Sequence, residues 1–226
     1  MFSNNLLMAA TAAMPPSLAE INYVGQHAQG AHAGTDHTFS DADMGPVVAN
    51  KKVVVVATCQ SLTGVTVGGN AMTQAAFVTG IVPSMTVGIY EYNAVLTDTE
   101  DITLTSTTGG NWIAHVFYLT NATAAAEYTG TDRSNSGAVL DADVTCSVNS
   151  VAIGGWLEQI TGTEIPTVWT GLTGPVAEIQ TSGAFGGGVA SGSFESAQSP
   201  LNVTCTFQYA ASPAYCSLVL ASWGTA

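Results

Sequence analysis

Residues 111–120 read NWIAHVFYLT. In an extended strand, Trp112, Ala114, Val116 and Tyr118 point to one side and Ile113, His115, Phe117 and Leu119 to the other. Both sides are largely apolar, which makes this a central strand that needs cover on each face. The rest of the chain agrees with a β reading. No stretch holds an apolar period near 3.6 for three turns. Strand-like runs instead follow one another at 21–26, 37–41, 52–59, 64–69, 72–78, 85–94 and 101–107, then at 138–148, 151–160, 166–172, 185–194, 201–210 and 214–223. Turn signals such as VGGN, TTGGN, TGTDRSNSG and SFESAQSP lie between them. In 85–92, Met85, Val87, Ile89 and Glu91 share one face, and Thr86, Gly88, Tyr90 and Tyr92 the other.

Many short strands at this spacing predict an all-β fold: an antiparallel β-sandwich, jelly-roll-like, with an extended N-terminal arm. No linker composition interrupts residues 50–226. The expected organisation is therefore an arm over 1–20 and one β-sandwich domain over 21–226. A faint internal echo joins GVTVGGNAM (64–72) to SVAIGGWLE (150–158), both apolar-x-apolar-Gly-Gly. Two short matches do not establish a repeat.

Composition narrows the function classes. Hydrophobic residues make up 46% of the 226, enough for a sizeable core, and charged residues only 8%. Lys51, Lys52 and Arg133 face sixteen carboxylates, for a net charge of -13. Such a chain repels phosphate backbones and anionic lipid surfaces, so no nucleic-acid partner is expected. The Lys51-Lys52 pair reads as polar punctuation before a strand. No apolar run approaches the roughly 20 residues of a membrane helix, so no membrane insertion is expected either.

Cys59, Cys146, Cys205 and Cys216 show no C-x-x-C spacing. If 201–207 and 214–220 form a hairpin centred between Ala210 and Ala211, Cys205 faces Cys216. The two are then either small buried hydrophobes, the favoured reading, or a cross-strand disulfide.

The first residues read MFSNNLLMAATAAMPPSLAE. A secretion signal needs a positive n-region, and residues 1–5 carry no charged side chain; the apolar stretch is short and Ala-heavy. The expectation is a docked peptide followed by a stiff Pro15-Pro16 spacer. The start resembles the NLLMAAA-type leader of tailed-bacteriophage fibre and decoration proteins, here Asn5, Leu6, Leu7, Met8, Ala9 and Ala10. Downstream, KKVVVVATC, VTVGGNAMT and SMTVGIYEYNA resemble a β-sandwich domain of phage and prophage virion proteins. That pattern runs from an Ala-Asp turn through a Val-rich strand and a Gly-Gly hairpin to a Tyr-rich strand. It falls on Asp43, Val53–Ala57, Val65–Thr73 and Ile89–Ala94, with Met44–Asn50 as a departure.

The resemblance implies a non-enzymatic structural component of a virion. It would be a decoration or fibre-type protein on the particle exterior, docked on other capsid or tail proteins by its leader, and a homo-oligomer. The alternative is a host-surface adhesin that binds glycans through the loop 128–137, with Tyr128, Asp132, Arg133 and Trp169 as contacts.

Chemistry-bearing patterns are weak. His27, His32 and His37, with Asp36, Asp41 and Asp43, have no metal-ligand spacing and read as a polar loop. TDTED (97–101) and DADVT (141–145) fall short of a complete calcium loop. Glu158 and Glu164 form a carboxylate pair that any acidic protein offers. There is no G-x-S-x-G elbow. His115 reads as a packed core or interface residue, and Trp112 and Trp156 as core. GAFGGGVASG reads as a flexible strand edge or a close backbone contact between subunits. No cofactor, metal or catalytic residue is expected.

Overall fold

The structure is a computed structural model that describes residues 17–80, 85–93, 97–123, 125–134, 139–159, 167–174, 177–181, 185–207 and 215–226. The leader residues Asn5–Ala10 lie outside the described residues. The first half contains β1 (Glu20–His32), β2 (Asp36–Asp43), β3 (Lys52–Gln60), β4 (Leu62–Val67), β5 (Asn70–Ala71), β6 (Thr73–Thr79), β7 (Met85–Tyr92), β8 (Thr99–Ser106) and β9 (Gly110–Thr120). The second contains β10 (Tyr128–Ser134), β11 (Val139–Cys146), β12 (Ser150–Gln159), β13 (Thr167–Thr170), β14 (Ala177–Thr181), β15 (Phe185–Phe194), β16 (Gln198–Phe207) and β17 (Cys216–Trp223).

Strand order is β2-β8-β4-β5 and β1-β9-β3-β7-β6 in the first half, and β10-β17-β12-β15-β14 and β11-β16-β13 in the second. All pairings are antiparallel. β4 turns into β5 through Gly68 and Gly69, at φ 54° and 76°. Two successive positive φ values suit a tight hairpin with right-handed twist, and glycine adopts them without steric cost.

Alternation of side chains stacks these sheets into four layers. Val53, Val55, Ala57, Trp112, Ala114 and Val116 face the four-stranded sheet, where Ile102, Leu104, Val65 and Val67 complete one core. Val54, Val56, Ile89, Ile113, Phe117 and Leu119 face the other way, onto Val151, Ile153, Leu157, Val189, Val219 and Trp223 of the second five-stranded sheet. That second sheet turns Ala152, Trp156, Leu218 and Leu220 to a third core with Leu140, Val144, Val203 and Phe207. The antiparallel sandwich reading holds, and β9 is the doubly covered strand its sequence implies. The body over 21–226, however, is two sandwiches joined by their five-stranded sheets rather than one.

Close approach at this seam depends on small residues. A Cβ on Gly155 would come within 2.4 Å of Val56 Cγ1, and one on Gly187 within 3.1 Å of Thr58 Oγ1 and 3.2 Å of Ile113 Cδ1. The glycine run of β15 is thus an interior strand at an internal contact, neither a sheet edge nor a contact between subunits.

Other expectations change as well. TGTDRSNSG is not a turn throughout: Tyr128–Ser134 is an edge strand paired to β17. β16 and β17 lie in different sheets, so the proposed hairpin is absent. Cys205 pairs with Leu140 and Trp169, and Cys216 with Ser134 and Glu158. All four cysteines are buried thiols, in keeping with small hydrophobes. The echo is no structural repeat either, since 64–72 spans β4 and β5 while 150–158 lies in β12.

Gly187→Val should overpack the seam and destabilise the protein by about 1–3 kcal/mol in urea titration. Thr170→Val, at an exposed position of β13, should change stability by less than about 0.5 kcal/mol.

Candidate functional site: the root of the N-terminal arm

Sequence gives the leader its interest; the structure shows what the arm is fastened to. Ala19 is fully buried in the core between the sandwiches. Its N–H donates to Asn149 O at 3.1 Å, and Asn121 Nδ2 donates to Leu18 O at 3.5 Å. Thr120 Oγ1 donates to Glu20 Oε2 at 3.1 Å at the start of β1. Residues 18–20 therefore lie at the seam and are held by residues of both halves.

The same end holds the connection between halves and the C-terminal residues. Thr123 N donates to Gly224 O at 2.9 Å, Glu127 N to Ser222 O at 2.8 Å and Ala226 N to Asn121 O at 2.9 Å. Beneath them lies a buried ion pair. Lys52 Nζ donates to Glu91 Oε2 at 2.8 Å, and both side chains are 3% exposed. Trp223 Nε1, from the other sandwich, donates to the same oxygen at 2.6 Å, and Ala126 N of the connection donates to Glu91 Oε1 at 3.4 Å. Burial pushes the Lys52 ammonium below its usual range, and the Glu91 hydrogen bond opposes that shift. One carboxylate thus gathers donors from the first sandwich, the connection and the second sandwich.

Lys51 is buried as well. Its Nζ donates to the carbonyls of Met44, Gly45 and Pro46, each at 3.1 Å. Burial lowers its pKa, while Asp43, Asp98 and Glu100 raise it. The TDTED stretch therefore has a tethered ammonium beside it, held by the Met44–Pro46 segment. The two lysines are internal cations and not surface punctuation.

Two buried titratable groups stand apart. Glu158 is fully buried, both oxygens lack a hydrogen-bond partner, and burial pushes its pKa up to about 8. It lies on β12 opposite Cys216; its sequence partner Glu164 lies outside the described residues. His115 sits in the seam, fully buried, with Nδ1 3.3 Å from Tyr23 Oη. Burial pushes its pKa down to about 3.

The predicted contact residues are not brought together. Tyr128, Asp132 and Arg133 lie on β10, at one edge of its sheet, whereas Trp169 lies on β13, at the far edge of the other. Tyr128 is 45% exposed. Asp132 caps Asp141 N at 2.9 Å, and Arg133 Nη1 reaches Thr79 O at 3.4 Å. Trp169 is partly buried, packed against the third core, its ring against Gly154.

The histidines stand on β1 and β2 as a packed row and not in a loop. His32 and His37 ring centroids are 5.7 Å apart, and His37 and Phe39 4.6 Å. Gly34 N donates to His32 Nδ1 at 3.0 Å. His32, Gln60 and Asn111 line an open depression of about 480 Å³. Among the described residues no group of three His, Cys, Asp or Glu side chains could hold a metal ion.

Sequence reasoning missed Lys52, Glu91 and Trp223. The available signal was the alternation itself, which sets Glu91 on the same face as Val87 and Ile89. Comparisons with protein-family models, curated proteins and solved structures return no match to this chain.

Removing one partner of a buried pair leaves the other uncompensated. Glu91→Ala should cost about 3–5 kcal/mol in chemical denaturation, and Lys52→Met combined with Glu91→Leu should recover part of that loss, the Trp223 indole N–H being left without its acceptor.

Glu158 and His115 set two opposed slopes in the pH dependence of stability. Folded Glu158 keeps a proton that the unfolded chain releases, so its contribution is lost as pH rises from about 4.5 to about 8. Folded His115 refuses a proton that the unfolded chain takes up, so its contribution is lost as pH falls from about 6.5 to about 3. Between about 4.5 and 6.5 the two slopes oppose each other. Above that range His115 no longer opposes Glu158, whose slope is roughly 1.4 kcal/mol per pH unit up to its pKa, so stability should fall. Glu158→Gln should flatten that fall in thermal unfolding measured from pH 6.5 to 8.

Proposed function

We propose that the chain is a non-enzymatic structural component of a phage virion, a capsid- or tail-mounted decoration or fibre-type protein docked by its N-terminal peptide. The observation that carries the reading is the root of the arm. Ala19 is buried between the sandwiches, and the chain on either side is bonded to Asn149, Asn121 and Thr120. A pull on the arm would be borne by both sandwiches together.

Charge supports the same reading. With Lys51 and Lys52 buried, Arg133 is the one exposed cation of the chain's three. Such a body repels copies of itself at close range. Residues 1–19 contain no charged side chain, so contact through the arm avoids that repulsion. Leu6, Leu7 and Met8 each offer roughly 1.5–3 kcal/mol of burial to a groove on a partner, before the cost of ordering the peptide. Several arms in a homo-oligomer would add avidity. The strand order favours a jelly-roll reading of each sandwich, a fold common among exterior particle proteins. The glycan-binding adhesin has less behind it, because its contact residues lie at opposite edges.

The test is co-sedimentation with particles that lack this protein. A chain beginning at Ser17 keeps the arm's root and should retain its circular dichroism and unfolding midpoint. It should lose binding that the full chain shows. Equal binding by the folded truncated chain would refute the arm as anchor, and a glycan array that captures both would favour the adhesin.

A further inference from the structure

The two halves share one topology. Replacing β1, β2, β3, β4, β6, β7, β8 and β9 by β10, β11, β12, β13, β14, β15, β16 and β17 converts each sheet order of the first half into that of the second, apart from the two-residue β5. The registers extend this to residues. Val56 pairs with Ile89 on one side and His115 on the other, and Gly155 pairs with Val189 and Val219. These registers hold at any offset between β3 and β12, and the offset is set by Asn50 and Asn149, which lead into the two strands: with them aligned, Val56 corresponds to Gly155 and Gly88 to Gly188. These two asparagines have φ 56° and 58°, a left-handed conformation uncommon outside glycine.

The seam between the halves is reciprocal. β6 packs on β10 and β17, and their counterparts β14 and β1, β14 and β9 also pack together. Reciprocity of this kind is the signature of a two-fold interface, where patch i meets j and j meets i. Val56 and Gly155 are counterparts, and they touch across the seam: a Cβ on Gly155 would lie 2.4 Å from Val56 Cγ1. A residue that contacts its own counterpart lies on the axis.

We infer that the chain is a fused dimer. The apolar face of its β1-β9-β3-β7-β6 sheet is a docking surface whose fitting partner is a sandwich of the same topology, supplied here by the chain's own second half. The two faces have diverged in shape. Val56, Val87 and His115 on one side stand where Gly155, Gly187 and Val219 stand on the other, so bulk on one face meets space on its counterpart.

A residue exchange across the axis tests this in the full chain. Val56→Gly alone leaves a void and Gly155→Val alone overpacks, so each should lower the urea midpoint. The double variant exchanges two symmetry-related positions and should recover most of the combined loss, the deficits failing to add. If the double variant is as destabilised as the sum of the singles, or unfolded, the two-fold relation is wrong. A second measurement does not depend on those variants. Full-length protein carrying a protease site in the connection 121–127 is cut while folded. The two pieces should elute together at the size of the intact chain, with a cooperative unfolding transition whose midpoint now depends on concentration. Pieces that separate as folded monomers would show that the face is no docking surface.

Discussion

A sheet that is apolar on both faces has to be covered twice, and this requirement organises the molecule. β9 and β3 between them present Val53, Val55, Trp112 and Val116 to one side and Val54, Val56, Ile113 and Phe117 to the other. A single sandwich covers one face only. The second face needs another sheet of equal size and similar twist, and the chain provides it with a second copy of the same architecture. β12 and β17 are apolar on both faces for the same reason. The hydrophobic term rewards both coverings in proportion to area, so the four-layer stack follows once the two central sheets are this apolar.

The few charges obey the same economy. A chain with 8% charged residues still places two of its three cations inside. Lys51 is surrounded by carbonyl oxygens, and Lys52 is bound to Glu91. A buried ion pair is a weak source of stability compared with a well-packed apolar substitute, but a strong discriminator between arrangements. Glu91 accepts from Trp223 and from Ala126 as well as from Lys52. Only one placement of the second sandwich on the first satisfies all three donors. The pair therefore adds alignment to that given by the close contact of Val56 with Gly155 at the seam.

How much of this was legible in the sequence depends on range. Period-2 alternation and turn signals are local, and together they gave the all-β class, the doubly apolar strand at 111–120 and the turn at Gly68-Gly69. β10 was hidden because Gly130, Asp132 and Ser134 carry turn-like propensities, and the strand is held by pairing to β17. The hairpin of Cys205 and Cys216 failed because adjacency in sequence is no guide to pairing when consecutive strands cross between sheets. The duplication was obscured by divergence at the very positions that face each other. SVAIGGWLE echoes GVTVGGNAM in its glycines, whereas its counterpart in the two-fold relation is KKVVVVATC (51–59), which shares none of them. The candidate site was legible in one part only. The arm announced itself by composition, but Lys52, Glu91 and Trp223 lie far apart in sequence, and no local pattern joins them.

The two-fold relation also shows where the molecule is not symmetric. Lys52, Glu91 and Trp223 correspond through the strand registers to Val151, Ser191 and Leu119. An ion pair with an indole donor at one end is thus matched at the other by Val, Leu and a buried serine hydroxyl without a partner. Equal sandwiches related by a two-fold axis have no intrinsic direction. A charged cluster placed at only one of the two equivalent ends supplies one. It lies at the end where Ala19 enters the core, where the connection crosses and where Thr225 bridges to Ala122. On the proposed reading, an attachment arm needs a fixed end to leave from, and a pseudo-symmetric body offers two. The asymmetry of the seam distinguishes them.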